Sequence, residues 1–170
     1  MNIKLWKLRN LPNLARGLPD MARVAPIGRL YVQVIRANGQ VDRLGLVSTR
    51  VVTTAGVGYI VDAFQNSVEL ETMKYHGMGT GTGNEATSDT ALGTEVETRA
   101  TGTTTEGSSA NIYKTVGTIT ATDVRAITEH GIFSASSSGV LLDRSKFTAI
   151  NLASGDSIQF TYELTFPAGS

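Results

Sequence analysis

Residues 157–166 read SIQFTYELTF. Ile158, Phe160, Tyr162 and Leu164 fall on every second position, with Ser, Gln, Thr and Glu between them. Successive side chains of a strand point to opposite faces, so this alternation predicts a strand with one apolar face and one polar face. Phe166 continues the apolar face. A strand of this kind needs a second apolar layer to lie on.

Working outward, the chain supplies that layer several times over. LYVQVIR (30–36) is apolar and β-branched, and Asn38-Gly39 behind it is a hairpin turn signal. The return strand is expected within VDRLGLVSTRVV (41–52). Further strands are expected at 73–78, 94–101, 112–120, 126–134, 139–143, 147–151 and 157–166. Turns such as Ser136–Gly139 and Ser154-Gly155-Asp156 divide them. TTAGVGYIVDAFQN (53–66) reads as the one short helix, capped by Thr53 or Thr54, with Val57, Ile60, Val61 and Phe64 on one face. Many short strands, polar turns and one helix predict a mainly β protein, a jelly-roll-like or Greek-key β-sandwich.

The 170 residues suit one ordinary domain, and 41% hydrophobic residues are enough for a core. No apolar run approaches the ~18–20 residues of a membrane helix, and no membrane partner is expected. The start, with Lys4 and Lys7 around Leu5 and Trp6, makes a poor signal peptide. The absence of cysteine removes disulfides and thiolate chemistry and fits synthesis in a reducing cytoplasm.

The net charge of zero hides a split. Residues 1–50 hold nine Lys/Arg against two Asp, and residues 51–170 hold six against thirteen acids. A basic front on an acidic body predicts an acidic partner surface for the front.

That front is built differently from the rest. LPNLARG, LPDMARV and APIGRLY (11–31) are three seven-residue units, each with proline second and arginine near the end. Pro12, Pro19 and Pro26 break any continuous helix and push the preceding residues to extended geometry. Residues 1–28 are therefore read as an extended N-terminal arm, and residues 29–170 as the β-sandwich. The arm carries too many apolar side chains for a solvated tail, so it is expected to lie on a surface. Its contact residues are expected to be Trp6, Arg9, Leu11, Leu14, Arg16, Leu18, Met21 and Arg23, with Arg29 at its root. Arginine beside apolar anchors suits a protein partner. One arginine per seven residues, set among leucines, is too sparse for tracking phosphates, so nucleic acid is not the expected partner. An arm packed on its own domain is the alternative.

Signals for catalysis are weak. His76 and His130 sit in expected strands, and Glu129 and His130 point to opposite faces. No further ligands complete a metal site at either. GMGTGTG (77–83) lacks the Gly-Lys-Ser/Thr ending of a phosphate loop and runs into an acidic turn, so it is read as a flexible connection. Asp89, Glu95, Glu97 and Glu106 are read as surface acids of a Thr-rich segment. Asn84–Asp89 offers oxygen ligands for at most a weak calcium site without EF-hand spacing. No Gly-x-Ser-x-Gly elbow occurs. No catalytic, cofactor or metal residues are assigned, and a non-enzymatic protein is expected.

GMGTGTGNEATSDTALGTEVETR (77–99) and ITEHGIFSASSSGVLLDRSKFTAINLASGDSIQFTYELTF (127–166) resemble a module of virion structural proteins of tailed bacteriophages. The resemblance rests on Asp89–Arg99, His130–Phe133, Ser138–Phe147 and Gly155–Phe166, and covers roughly residues 75–166. It implies a capsid decoration (cement) protein or a tail-fibre, tail-tip or baseplate component, and transfers no catalytic residue. A decoration protein would bind the major capsid protein lattice on the outer capsid surface, typically as a homotrimer. The tail component would turn its β-domain towards a host. A secreted enzyme or sugar-binding module fits less well, because the chain has few aromatics.

Overall fold

A computed structural model describes residues 25–49 and 51–167. It is a two-layer antiparallel β-sandwich of two five-stranded sheets. The first sheet has the order β2-β1-β10-β7-β6 and the second β3-β9-β8-β4-β5. The strands are β1 (Ile27–Ile35), β2 (Val41–Ser48), β3 (Val51–Val52), β4 (Tyr75–Gly79), β5 (Glu95–Thr101), β6 (Thr103–Glu106), β7 (Ile112–Thr120), β8 (Arg125–Phe133), β9 (Leu141–Leu152) and β10 (Ser157–Thr165). One α-helix, α1 (Thr54–Phe64), and a single 3-10 turn, Leu70–Thr72, lie between β3 and β4.

β10 behaves as its alternation demands. Ile158, Phe160, Tyr162 and Leu164 are all buried, facing Met78, Ile127, Ile132 and Leu152 of the opposite sheet in one core. β10 is flanked by β1 and β7 in continuous register, Ile27 opposite Thr165 and Ile112 opposite Thr165 on the other side. The β8–β9 hairpin of one sheet is thus nested between β7 and β10 of the other, which is Greek-key logic.

The registers define two ends. The start of β1, the start of β7 and the finish of β10 lie together at the near end. The hairpin at 36–40 and the turns at 121–124 and 153–156 close the far end. There Asp156 accepts from Ala37 N, Ala153 N and the Arg36 guanidinium at 2.9–3.0 Å.

Two expectations are corrected, and two short strands, β3 and β6, add to those expected. The return strand expected within VDRLGLVSTRVV is β2, which pairs with β1, while β3 at the end of the same stretch crosses to the other sheet and pairs with β9. The two strands expected at 139–143 and 147–151 are the single twelve-residue β9. The Thr-rich segment Thr103–Glu106 forms the edge strand β6, separated from β5 by Gly102 alone. The helix does begin behind Thr53, whose hydroxyl accepts from Gly56 N at 2.9 Å, but it buries a different face. Gly56 and Ile60 are its buried residues. A Cβ at Gly56 would stand 2.6 Å from the Leu142 carbonyl oxygen, so the bare glycine lets the helix backbone approach β9. That contact rotates Val57, Val61 and Phe64 outward, and Phe64 is 81% exposed.

Candidate functional site

Trp6, Arg9, Leu11, Leu14, Arg16, Leu18, Met21 and Arg23 lie outside the described residues. Arg29 is described and is the third residue of β1. Its Nη1 donates to Thr165 Oγ1 at 3.2 Å across the β1–β10 ladder, so it is anchored in the sheet. β1 starts at Ile27, which brings the N-terminal segment into the sandwich at the near end.

An apolar groove of about 540 Å³ opens at that same end. Met73, Leu142, Leu164 and Tyr113 line it from the core side, and Phe64, Leu70 and Phe166 from the rim. The rim residues are largely exposed, with Phe166 and Leu70 each at 40%. Its volume is in the range of small-molecule sites, but it has few polar groups to orient a reacting ligand.

The remaining chemistry-bearing residues form closed networks. On the outer face of the second sheet, the Glu129 carboxylate accepts from Gly81 N (2.8 Å), Thr94 N (2.9 Å) and Gly93 N (3.1 Å). It also accepts from Arg144 Nε at 2.9 Å and Nη2 at 2.6 Å. Burial pushes its pKa up, but the Thr94 amide, the Arg144 guanidinium and the Gly93 and Gly81 amides outweigh it and hold it below the ordinary value. Arg144 goes on to Asp89 Oδ2 at 2.8 Å and the Asn84 carbonyl at 3.2 Å. Lys146 and Thr128 both donate to the Gly81 carbonyl.

The glycine-rich stretch expected to be a flexible connection is thus tied to the sheet by Glu129, Arg144, Lys146 and Thr128. In the loop considered for calcium, a guanidinium already occupies the Asp89 carboxylate and the Asn84 carbonyl. Glu95 pairs with Arg99, which stacks over Phe133 with its guanidinium carbon 3.3 Å from the ring centre. Glu97 pairs with Arg125 at 3.0 Å. Three of the four acids read as surface charges are therefore pairing partners.

Between the sheets, His76 and His130 meet, Nδ1 to Nε2 at 3.0 Å, and His76 Nε2 reaches Thr115 Oγ1 at 3.1 Å. His130 Nδ1 has no partner among the described residues. An orphaned lone pair costs less than an orphaned N–H. The network therefore assigns the His130 proton to Nε2, donating to His76, and the His76 proton to Nε2, donating to Thr115. Burial lowers the His76 pKa to about 3, and burial with the neighbouring His76 lowers that of His130 well below the ordinary value.

A second buried group is Asp143, bonded by Ser145 Oγ at 2.9 Å and Tyr162 OH at 3.3 Å. Burial raises its pKa to about 7. The His76–His130 contact was not visible in the sequence because it joins residues 54 apart in the chain, and the Asp143 site was not because it joins strands of opposite sheets. The described residues hold no cluster of three or more metal-ligating side chains.

No family model matches the chain, and neither curated proteins nor solved structures gave a match.

Proposed function

We propose that this chain is a non-enzymatic structural protein of a tailed-phage virion. The preferred role is a capsid decoration protein that binds the major capsid protein lattice through residues 1–28 and stabilises the head. It would be made in the host cytoplasm and act on the outer capsid surface as a homotrimer.

The observation that supports this reading best is the polarity of the molecule. The N-terminal segment joins β1 at the end where the apolar groove rimmed by Phe64, Leu70 and Phe166 opens, while the turns of the far end are laced on Asp156. Such a body presents one face to a support and the other to solvent. Trp6, Arg9, Leu11, Leu14, Arg16, Leu18, Met21 and Arg23 are the proposed contacts, with Arg29 fixing the root. Many modest apolar contacts and bidentate arginines suit a repetitive protein lattice.

The Ser/Thr/Asp turns of the far end favour a second reading, a tail-fibre, tail-tip or baseplate component whose far end meets a host surface. Cryo-electron microscopy of the purified protein mixed with empty capsids of the phage that encodes it separates the two. Density at regular lattice positions is the expected result. Density confined to the tail vertex would replace the first reading with the second, and no density on any particle would overturn both.

A further inference from the structure

The near-end groove is too apolar and too open to be left to water. Phe64, Leu70 and Phe166 stand around it with large exposed surfaces. Exposed patches of this kind mark places that another chain segment covers. We infer that the groove is filled by residues 17–24 of the same molecule, with Leu18, Met21 and Val24 as the anchors.

Three features single out this occupant. The first is delivery. Ile27 is registered opposite Thr165, one residue from the groove wall at Phe166. Neighbouring strands are ~4.8 Å apart, and eight extended residues reach roughly 27 Å, so the segment starts beside the groove with length to cross it.

The second is composition. Leu18, Met21 and Val24 recur at three-residue steps with Arg23 beside them. Glu71 lies on the groove rim, and exposed Glu69 and Glu106 adjoin the lining residues Leu70 and Thr105. Apolar anchors meet an apolar floor, and a basic residue meets an acidic rim.

The third is tethering. A segment joined to β1 by two residues has an effective concentration in the millimolar range, which a second copy in dilute solution cannot match. Pro19 and Pro26 also reduce the freedom lost when the segment docks.

This divides the arm that the proposed function invokes. Residues 17–24 serve as its seat, and the partner contacts fall to Trp6–Arg16. The inference concerns the free protein, so its test needs no particle and can fail without the virion reading failing.

The chain has no cysteine, which makes disulfide trapping clean. Met21→Cys combined with Thr104→Cys on the groove wall is oxidised in the full chain at low concentration. Met21→Cys with Val124→Cys at the far end is the control. An intrachain disulfide forming at least tenfold faster than in the control is expected. A band of twice the chain mass would overturn the inference by placing a second copy's segment in the groove. Trapping no faster than the control would overturn it by leaving the groove without this segment. As a second reading, Leu18→Ser/Met21→Ser/Val24→Ser should speed amide exchange across residues 54–72 and leave β7 and β10 unchanged. Unaltered exchange over 54–72 would overturn the inference independently.

Discussion

Asp143 and the two buried histidines answer to pH in opposite senses. Asp143 holds its proton more tightly in the folded chain, at about 7, than an ordinary carboxyl with a value of 3.8. Its contribution to stability is present in full below about pH 4 and is lost as the pH rises through about 7. Asp143→Asn should therefore stabilise the protein at pH 8, by up to roughly 4 kcal/mol, and much less at pH 5. Denaturant titrations of both proteins at the two pH values check this.

His76 and His130 hold protons less tightly when folded. Their contribution is present above pH 6.5 and is lost as the pH falls towards about 3. His130→Gln should flatten the acid limb of the stability curve below pH 6.5, whatever it does to stability at neutral pH. The imidazole pair also explains a glycine. A Cβ at Gly117 would lie 2.5 Å from His76 Cδ2, so Gly117→Ala forces the ring to move. A cost of about 1–3 kcal/mol is expected in thermal unfolding.

Among the elements, β9 teaches most about what the sequence shows. Its first half includes Leu142-Asp143-Arg144-Ser145, and all four residues are buried. Charged residues usually mark solvent, so Arg144-Ser145-Lys146 reads as a break between two strands. Here Arg144 faces Glu129 on the outer side, and Asp143 and Ser145 face Tyr162 on the inner side. Pairing, which a linear pattern does not display, allows their burial.

β10, β7 and β1 were legible because each alternates against a single core. The helix was legible in place and cap but not in orientation, because Gly56 fixes its rotation through a contact with Leu142. The arm is an expectation from prolines and arginines that lie, but for Pro26 and Arg29, outside the described residues. The groove was not legible, since its walls come from α1, the 3-10 turn and four strands.

The Glu129–Arg144 clamp makes its own prediction. Arg144→Met leaves a buried carboxylate without its cation and should cost about 3–5 kcal/mol. Amide exchange should rise first at Gly81, Gly93 and Thr94, whose N–H groups the carboxylate holds.

At the scale of the whole molecule, the arm and the sandwich should separate cleanly. Removing residues 1–24 keeps β1 complete, since β1 begins at Ile27. The shortened protein is expected to remain folded by circular dichroism and to lose attachment to the particle. Trp6→Ala with Arg9→Ala and Arg16→Ala should reduce particle binding while shifting the melting temperature little. A melting loss as large as the binding loss would count against attachment through these residues.

The antiparallel pairing of β1 with β10 carries a mechanical consequence. Ile27 and Thr165 are opposite one another at the same end of the ladder. A load applied between residues 26 and 166 peels that ladder one rung at a time. A load running from residue 26 to the turn at Gly155 pulls β1 and β10 past one another along their axes, so the rungs between them are sheared together. A body tethered by its N-terminal segment and strained from the far end is loaded in the strong direction. Single-molecule pulling along the two axes should give a higher rupture force for the second.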